Sequence, residues 1–160
     1  MIGVMADSHD NLTAIKKAIS LFKEMNCGLI IHAGDFVAPF ATRELEALHV
    51  PVKAVFGNCD GERIGLEKAF EPFGEIQDAP LIFAHAGKNI LICHFHFSVA
   101  SYLSLGKYDI IIFGHTHKPD IRKKGQTLLL NPGETGGWLS GKSTVALLDP
   151  AILEAEIILL

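Results

Sequence analysis

The residues of this chain best suited to chemistry are histidines and short acids standing at close spacings. His115 and His117 lie one residue apart in Gly114-His115-Thr116-His117, directly after the apolar run Ile110-Ile111-Ile112-Phe113. Neutral imidazole is the commonest metal ligand. On extended backbone two such side chains share a side about 7 Å apart, which suits one ligand to each of two adjacent ions. Two loop histidines with no ligand would look the same, so other clusters must decide. Asp7-Ser8-His9, Gly34-Asp35, Gly57-Asn58 and His94 each follow an apolar run in the same way. Together the clusters hold Asp7, His9, Asp35, Asn58, His94, His115 and His117: two carboxylates, one amide oxygen and four imidazoles. That mixture suits borderline divalent ions such as manganese, iron, nickel or zinc better than calcium. Seven donors exceed one tetrahedral site. Either several are structural or two ions share a bridge, and we read the second.

Strands must position these groups. Residues 2–6, 28–33, 52–56, 89–93 and 109–113 are short apolar runs bounded by turn residues, the pattern of buried strands. If they share an orientation, their exits converge where open α/β sheets bind ligands. Residues 12–25 carry Leu12, Ile15, Ile19 and Phe22 at helical spacing, with Asp10 or Asn11 as cap. Residues 39–48 read as a helix stopped by Val50-Pro51. A short helix follows through Phe70, and residues 98–105 form another stopped by Gly106. Leu81–His85 pairs antiparallel with residues 89–93, and Asp120–Lys124 forms a hairpin with residues 127–130 around Gly125. Asn131-Pro132-Gly133-Glu134 is a turn, and residues 144–148 and 152–159 are strands around Asp149-Pro150. The expected class is α/β grading into α+β, with alternation early and strands late.

The chain has 160 residues without repeat, low-complexity run or linker, so one domain over residues 1–160 is expected. A chain of this size buries roughly 68–70% of its unfolded surface. Its net charge of -4 leaves no global footprint for nucleic acid or anionic membrane, so anion binding must be local. Cys27, Cys59 and Cys93 are odd in number and widely spaced, which speaks against a disulfide framework and for a reducing cytoplasm. With no basic leader and no apolar run near the roughly 18 residues of a membrane span, the protein is expected to be soluble. Residues 128–130 and 157–160 are apolar and would serve either as core or in pairing subunits of a homo-oligomer.

In order, these clusters resemble the motifs of the calcineurin-like metallophosphoesterase family: Asp-x-His, Gly-Asp, Gly-Asn, a later His, and Gly-His-x-His. The resemblance runs from Asp7 to the Asn131-Pro132-Gly133 turn, and the compact form is similar to small prokaryotic phosphodiesterases of that family. It implies a two-sheet β-sandwich flanked by helices in four layers, with the site at the strand ends. It also implies that Asp7, His9 and His117 hold one divalent ion, that Asn58, His94 and His115 hold a second, and that Asp35 bridges them. Manganese is the first expectation, with nickel, zinc or iron behind it. The implied reaction is hydrolysis of a small or nucleotide-like phosphodiester by a hydroxide bridging the two ions, with no covalent enzyme intermediate. A scaffold of the same fold is the alternative, because a retromer subunit resembling the family is one and lacks a His also replaced here. Retention of all seven ligand positions favours the enzyme. A sensor that binds a phosphorylated ligand without turnover is a third reading.

Two positions depart from the family pattern. Many members have His after Gly-Asn, thought to protonate the leaving group; here it is Cys59, a weak donor. Activated leaving groups should therefore be preferred. The second departure is His94-Phe95-His96, where a Gly usually follows the first His; His96 either replaces the missing acid or is structural. Asp60 orients a ligand or caps a turn. His32 reads as a satisfied buried histidine. Trp138, among Gly136, Gly137 and Gly141, packs or lines the pocket as a base-stacking surface, and packing is the simpler reading. Arg122-Lys123-Lys124 reads as a solvated hairpin, and no basic stripe with interleaved aromatics supports a nuclease.

Overall fold

The computed structural model describes residues 1–160. Its strands fall into two mixed sheets. The first contains β1 (Ile2–Met5), β2 (Leu29–His32), β3 (Val52–Val55), β4 (Gly74–Gln77), β10 (Thr144–Asp149) and β11 (Glu154–Leu159), in the order β11-β10-β1-β2-β3-β4. The second contains β5 (Leu81–His85), β6 (Lys88–Ile92), β7 (Ile110–Ile112), β8 (Asp120–Lys124) and β9 (Thr127–Asn131), in the order β5-β6-β7-β9-β8. β1 to β4 are mutually parallel, and so are β6, β7 and β9. The exits carrying the polar clusters therefore point the same way within each sheet.

The central strands β1, β2, β7 and β9 are buried along their whole length because both of their faces are covered. Alternate residues serve different layers. Val4, Ile31 and Val55 of the first sheet pack on Ile90, Ile112 and Leu130 of the second. Their neighbours Met5, Ile30 and Ala54 meet Ile15, Phe22, Leu66 and Phe70 from the helices. Those helices are α1 (Leu12–Glu24), α2 (Arg43–Glu46) and α3 (Arg63–Phe70). On the far side, Leu91, Ile111 and Phe113 pack against Val99 of α4 (Val99–Ser104). The order is helices, sheet, sheet, helix, the four layers the sequence led us to expect. Each fully buried Ile, Leu or Phe contributes about 1.5–3 kcal/mol relative to exposure. Asn11 caps α1 by accepting from the Ala14 N–H at 3.2 Å, which satisfies one of the four donors a helix start leaves free.

Three local expectations change, and one left open is decided. Residues 39–48 form a 3-10 turn (Pro39–Thr42) and one turn of α2 rather than a full helix, ending at His49 with a left-handed φ of 54°. β4 was not foreseen, because only Ile76 of its four residues is buried and so short a stretch carries no alternation. The final strand starts at Glu154 rather than residue 152, because Leu153 turns the chain with φ 55°. Residues 128–130 are core, whereas Leu159 is exposed on the edge strand β11. No helix is long and apolar enough to cross a membrane.

Candidate metal centre

The seven groups singled out from the sequence meet at the carboxyl ends of β1, β2 and β3 on one sheet and of β6 and β7 on the other. The backbone bends sharply to bring them there. Asp7, His9, Asp35, His115 and His117 all have positive φ, between 41° and 69°. Such conformations cost of order 1–3 kcal/mol each and persist where the surroundings over-determine them. His115 and His117 thus face one cavity through left-handed turns, not through the extended alternation expected of them. The two motif glycines are required by close approach. A Cβ on Gly57 would collide with the Asp35 carboxylate, and one on Gly34 would lie 2.6 Å from His94 Nδ1.

The groups fall into two overlapping sets. Ligand-capable atoms of Asp7, His9 and His117 lie within 4.8 Å of one another. The second set centres on Asn58, whose Oδ1 is 3.0 Å from His94 Nε2 and 2.9 Å from His115 Nδ1. Asp35 stands between them, its Oδ2 3.7 Å from His9 Nε2 and 3.5 Å from His94 Nε2. His94 Nδ1 donates its N–H to Ala33 O at 2.8 Å, which leaves Nε2 facing the cluster. His9 Nε2 and His117 Nδ1 are buried without a hydrogen-bond partner. His117 Nδ1 sits 3.2 Å from Glu134 Oε1, an ion-pair distance whose angles fall short of a hydrogen bond.

The electrostatics of the cluster suit it to cations. Burial raises the Asp7 carboxyl to about 7, against the pull of His94 and His117. Burial also opposes charge on Asp35, but His94 and the Cys59 N–H outweigh it and hold the acid at about 2. For His94 burial works against the proton, and the bond to Asp35 reverses the outcome, leaving its pKa raised. Burial lowers His9 and His115, favouring the neutral form that binds metal. Orphaned imidazole nitrogen, neutral rings and buried acids within a few ångströms fit borderline divalent cations in nitrogen and oxygen coordination.

A second tier of residues holds these groups. Asp60, only 3% exposed, accepts from the backbone N–H groups of Asp35, Phe36, Val37 and Gly57 at 2.7–3.0 Å. Both of its sequence readings hold: it caps the turn at Gly57 and, by also binding residues 35–37, ties the β2 exit to the β3 exit. Glu134 is fully buried and accepts from the N–H groups of Leu139 and Ser140. Burial opposes its charge, and these bonds outweigh it, so its pKa is lowered. Asn131 Nδ2 donates to Gly114 O and Thr116 Oγ1, supporting the His115 loop. Both had been read only as turn residues; the recoverable signal was a polar pair at the exit of the fully apolar strand β9. His32 is buried between Ser8 Oγ and the Gly34 N–H, as expected. Cys59 lines the cavity, and burial together with Asp35 raises its thiol to about 11. His96 is exposed and stacks on His115 at 5.7 Å between ring centroids. Trp138 also departs from the simpler reading: it does not pack inside but stands 64% exposed on the cavity wall.

Two stacked sheets whose parallel strand ends gather acids, imidazoles and an amide define a metallophosphoesterase-type hydrolase. The chain belongs to the calcineurin-like phosphoesterase superfamily, whose domain model matches residues 1–151. It is 37% identical over 152 residues to a phosphodiesterase of Methanocaldococcus jannaschii, covering 92% of each chain. Among solved structures it is similar to an archaeal phosphodiesterase, with 36% identity, 99% of both chains covered and a TM-score of 0.94. Vps29 of Entamoeba histolytica, solved with zinc, shares the fold at 17% identity and a TM-score of 0.69, over 99% of this chain and 98% of that one.

Proposed function

We propose that the protein is a metal-dependent phosphodiesterase that hydrolyses small phosphodiesters at this centre. The observation that carries the reading is the convergence of seven donors from both sheets, in a chain whose relatives at 36–37% identity are phosphodiesterases. In this reading Asp7, His9 and His117 hold one divalent cation, Asn58, His94 and His115 hold a second, and Asp35 is shared. Manganese is the first candidate, with nickel, zinc or iron as alternatives. When bound, such cations polarise phosphoryl oxygens and bring the acidity of water toward neutrality. The chain's own residues do the rest. Ala33 O fixes the His94 tautomer, the Glu134 carboxylate stands beside His117 Nδ1, and Asp60 holds Asp35 in its strained turn. Cys59 keeps its proton at neutral pH and is a weak donor toward a leaving oxygen; His96 is the second candidate for that task. The reading includes a reducing cytoplasm, for which three free thiols speak, and small diesters in preference to nucleic acid. A homo-oligomer would use the edge strand β11, where light scattering would detect it.

The test is to strip the protein of metal and assay bis(4-nitrophenyl) phosphate alone and with manganese, nickel or zinc restored, beside Asp35→Asn. Turnover that returns with metal and is lost in the variant is expected. Undiminished turnover in the stripped protein would overturn the metal requirement. Two ions bound per chain without turnover would turn the reading toward a scaffold or a sensor.

A further inference from the structure

Trp138 is an exposed aromatic anchored to the loops of the metal centre. Its indole Nε1 donates to His9 O at 3.0 Å. The segment carrying it is tied down on both sides: Asn11 Nδ2 donates to Gly136 O at 2.7 Å, the Gly136 N–H donates to Asp7 O at 2.9 Å, and Leu139 and Ser140 donate to Glu134. All these anchors belong to the loops that carry the metal-centre groups or to their supports. A ring so held has little orientational freedom left to lose when a ligand stacks on it. Beside it, Leu139 is 81% exposed, so an apolar surface adjoins the polar cluster within one cavity of about 700 Å³. That volume falls in the range of pockets for ligands the size of a nucleotide. The only Lys or Arg on its wall is Lys118, which is too little positive charge for a polynucleotide track.

We propose that Trp138 is the stacking platform for a nucleobase on the ester group that is retained when the other departs, so that the substrates are small nucleotide diesters. This rests on the phosphodiesterase reading for the chemistry, but stacking can be measured without it. Trp138 is the only tryptophan of the chain, so indole emission reports on this residue alone. Adenosine 5′-monophosphate and ribose 5-phosphate would be titrated into the manganese-loaded and the metal-free protein. Saturable quenching by the nucleotide and none by the sugar phosphate is expected. Equal responses to both, or no response to either, overturn the proposal.

Kinetics supply the second arm, with a thymidine 5′-(4-nitrophenyl) diester and a methyl 4-nitrophenyl diester, which share a leaving group. The ratio of their kcat/KM values is expected to fall about tenfold in Trp138→Ala and to be retained in Trp138→Phe, which keeps a face but loses the N–H. A loss shared equally by both diesters would assign Trp138 a structural role and overturn stacking. If the wild-type protein cleaves neither diester, the phosphodiesterase reading fails, and quenching still decides whether the ring stacks.

Discussion

Asp60→Asn tests whether one buried carboxylate holds the centre in shape. The geometry sets the size of the effect. Oδ2 accepts from the N–H groups of Asp35 (3.0 Å) and Gly57 (2.7 Å), and Oδ1 from those of Phe36 (2.7 Å) and Val37 (2.8 Å). An amide keeps only one acceptor oxygen. Whichever way it flips, two buried N–H donors face an NH₂ group and lose their partner. Each stranded donor costs about 1–3 kcal/mol, so Asp60→Asn is expected to destabilise the metal-free protein by about 2–6 kcal/mol. Asp60→Ala removes all four acceptors and admits water to the gap, for a loss of about 3–6 kcal/mol. Against a typical total of about 5–15 kcal/mol either is large. The released strain is local: Asp35 has φ 61° and Val37, β-branched, has φ 90°. Metal affinity should therefore fall as well, by about 10–100-fold. Urea unfolding of the chelated protein reads the first effect and titration calorimetry with manganese the second. If Asp60→Asn unfolds within about 0.5 kcal/mol of the wild type, the carboxylate is not the clamp described above.

Three further outcomes are expected. Glu134→Gln should weaken manganese binding by about tenfold or more, because it removes the charge beside His117 Nδ1; unaltered calorimetric affinity would contradict this. Burial holds the pKa of His32 well below its ordinary value, so below about pH 6.5 the unfolded chain takes up a proton that the folded chain refuses. His32 therefore contributes a loss of stability of about 1.4 kcal/mol per pH unit as pH falls below that point, and none above it. Chelated wild type and His32→Asn, unfolded in urea from pH 7 to 5, should differ by that slope, and parallel curves would refute it. Cys59→His should raise turnover of a methyl 4-nitrophenyl diester less than that of a dialkyl diester, where leaving-group protonation contributes about 100-fold or more; equal gains would mean that position 59 does not face the leaving oxygen.

What could be read from the sequence was what is local. Apolar runs ending in a polar residue, three of them through Gly, marked five strand exits, and parallel pairing of β1 with β2, of β2 with β3 and of β6 with β7 brings those exits together. Sheet membership was less accessible, because it depends on partners far apart in the chain: β10 lies beside β1 in the first sheet although it follows β9 of the second. β4 offered one buried side chain and no pattern. The supports of the centre were hidden for the same reason. Asp60 acts on residues 23 to 25 positions earlier, and Glu134 meets His117 across a sheet end, so neither spacing resembles a motif. Trp138 looked like core because aromatic rings usually are. Its exposure follows from the hydrogen bonds of its segment, which no periodicity records.

The way the cluster spans the two sheets has a consequence for how the molecule assembles. The layer between the sheets is apolar, and its close packing holds them in lateral alignment. Directional bonds add to that alignment at the strand ends, where His94 of the second sheet meets Ala33 O of the first and the His115 N–H meets the Asp7 carboxylate. The first four strands supply only Asp7, His9, Asp35 and Asn58; the rest arrive with β6 and β7. A nascent chain thus carries an incomplete donor set until its second sheet has docked in the right position. Chemical competence is in this sense a proofreading signal, present in correctly aligned molecules and missing from those whose halves have slipped.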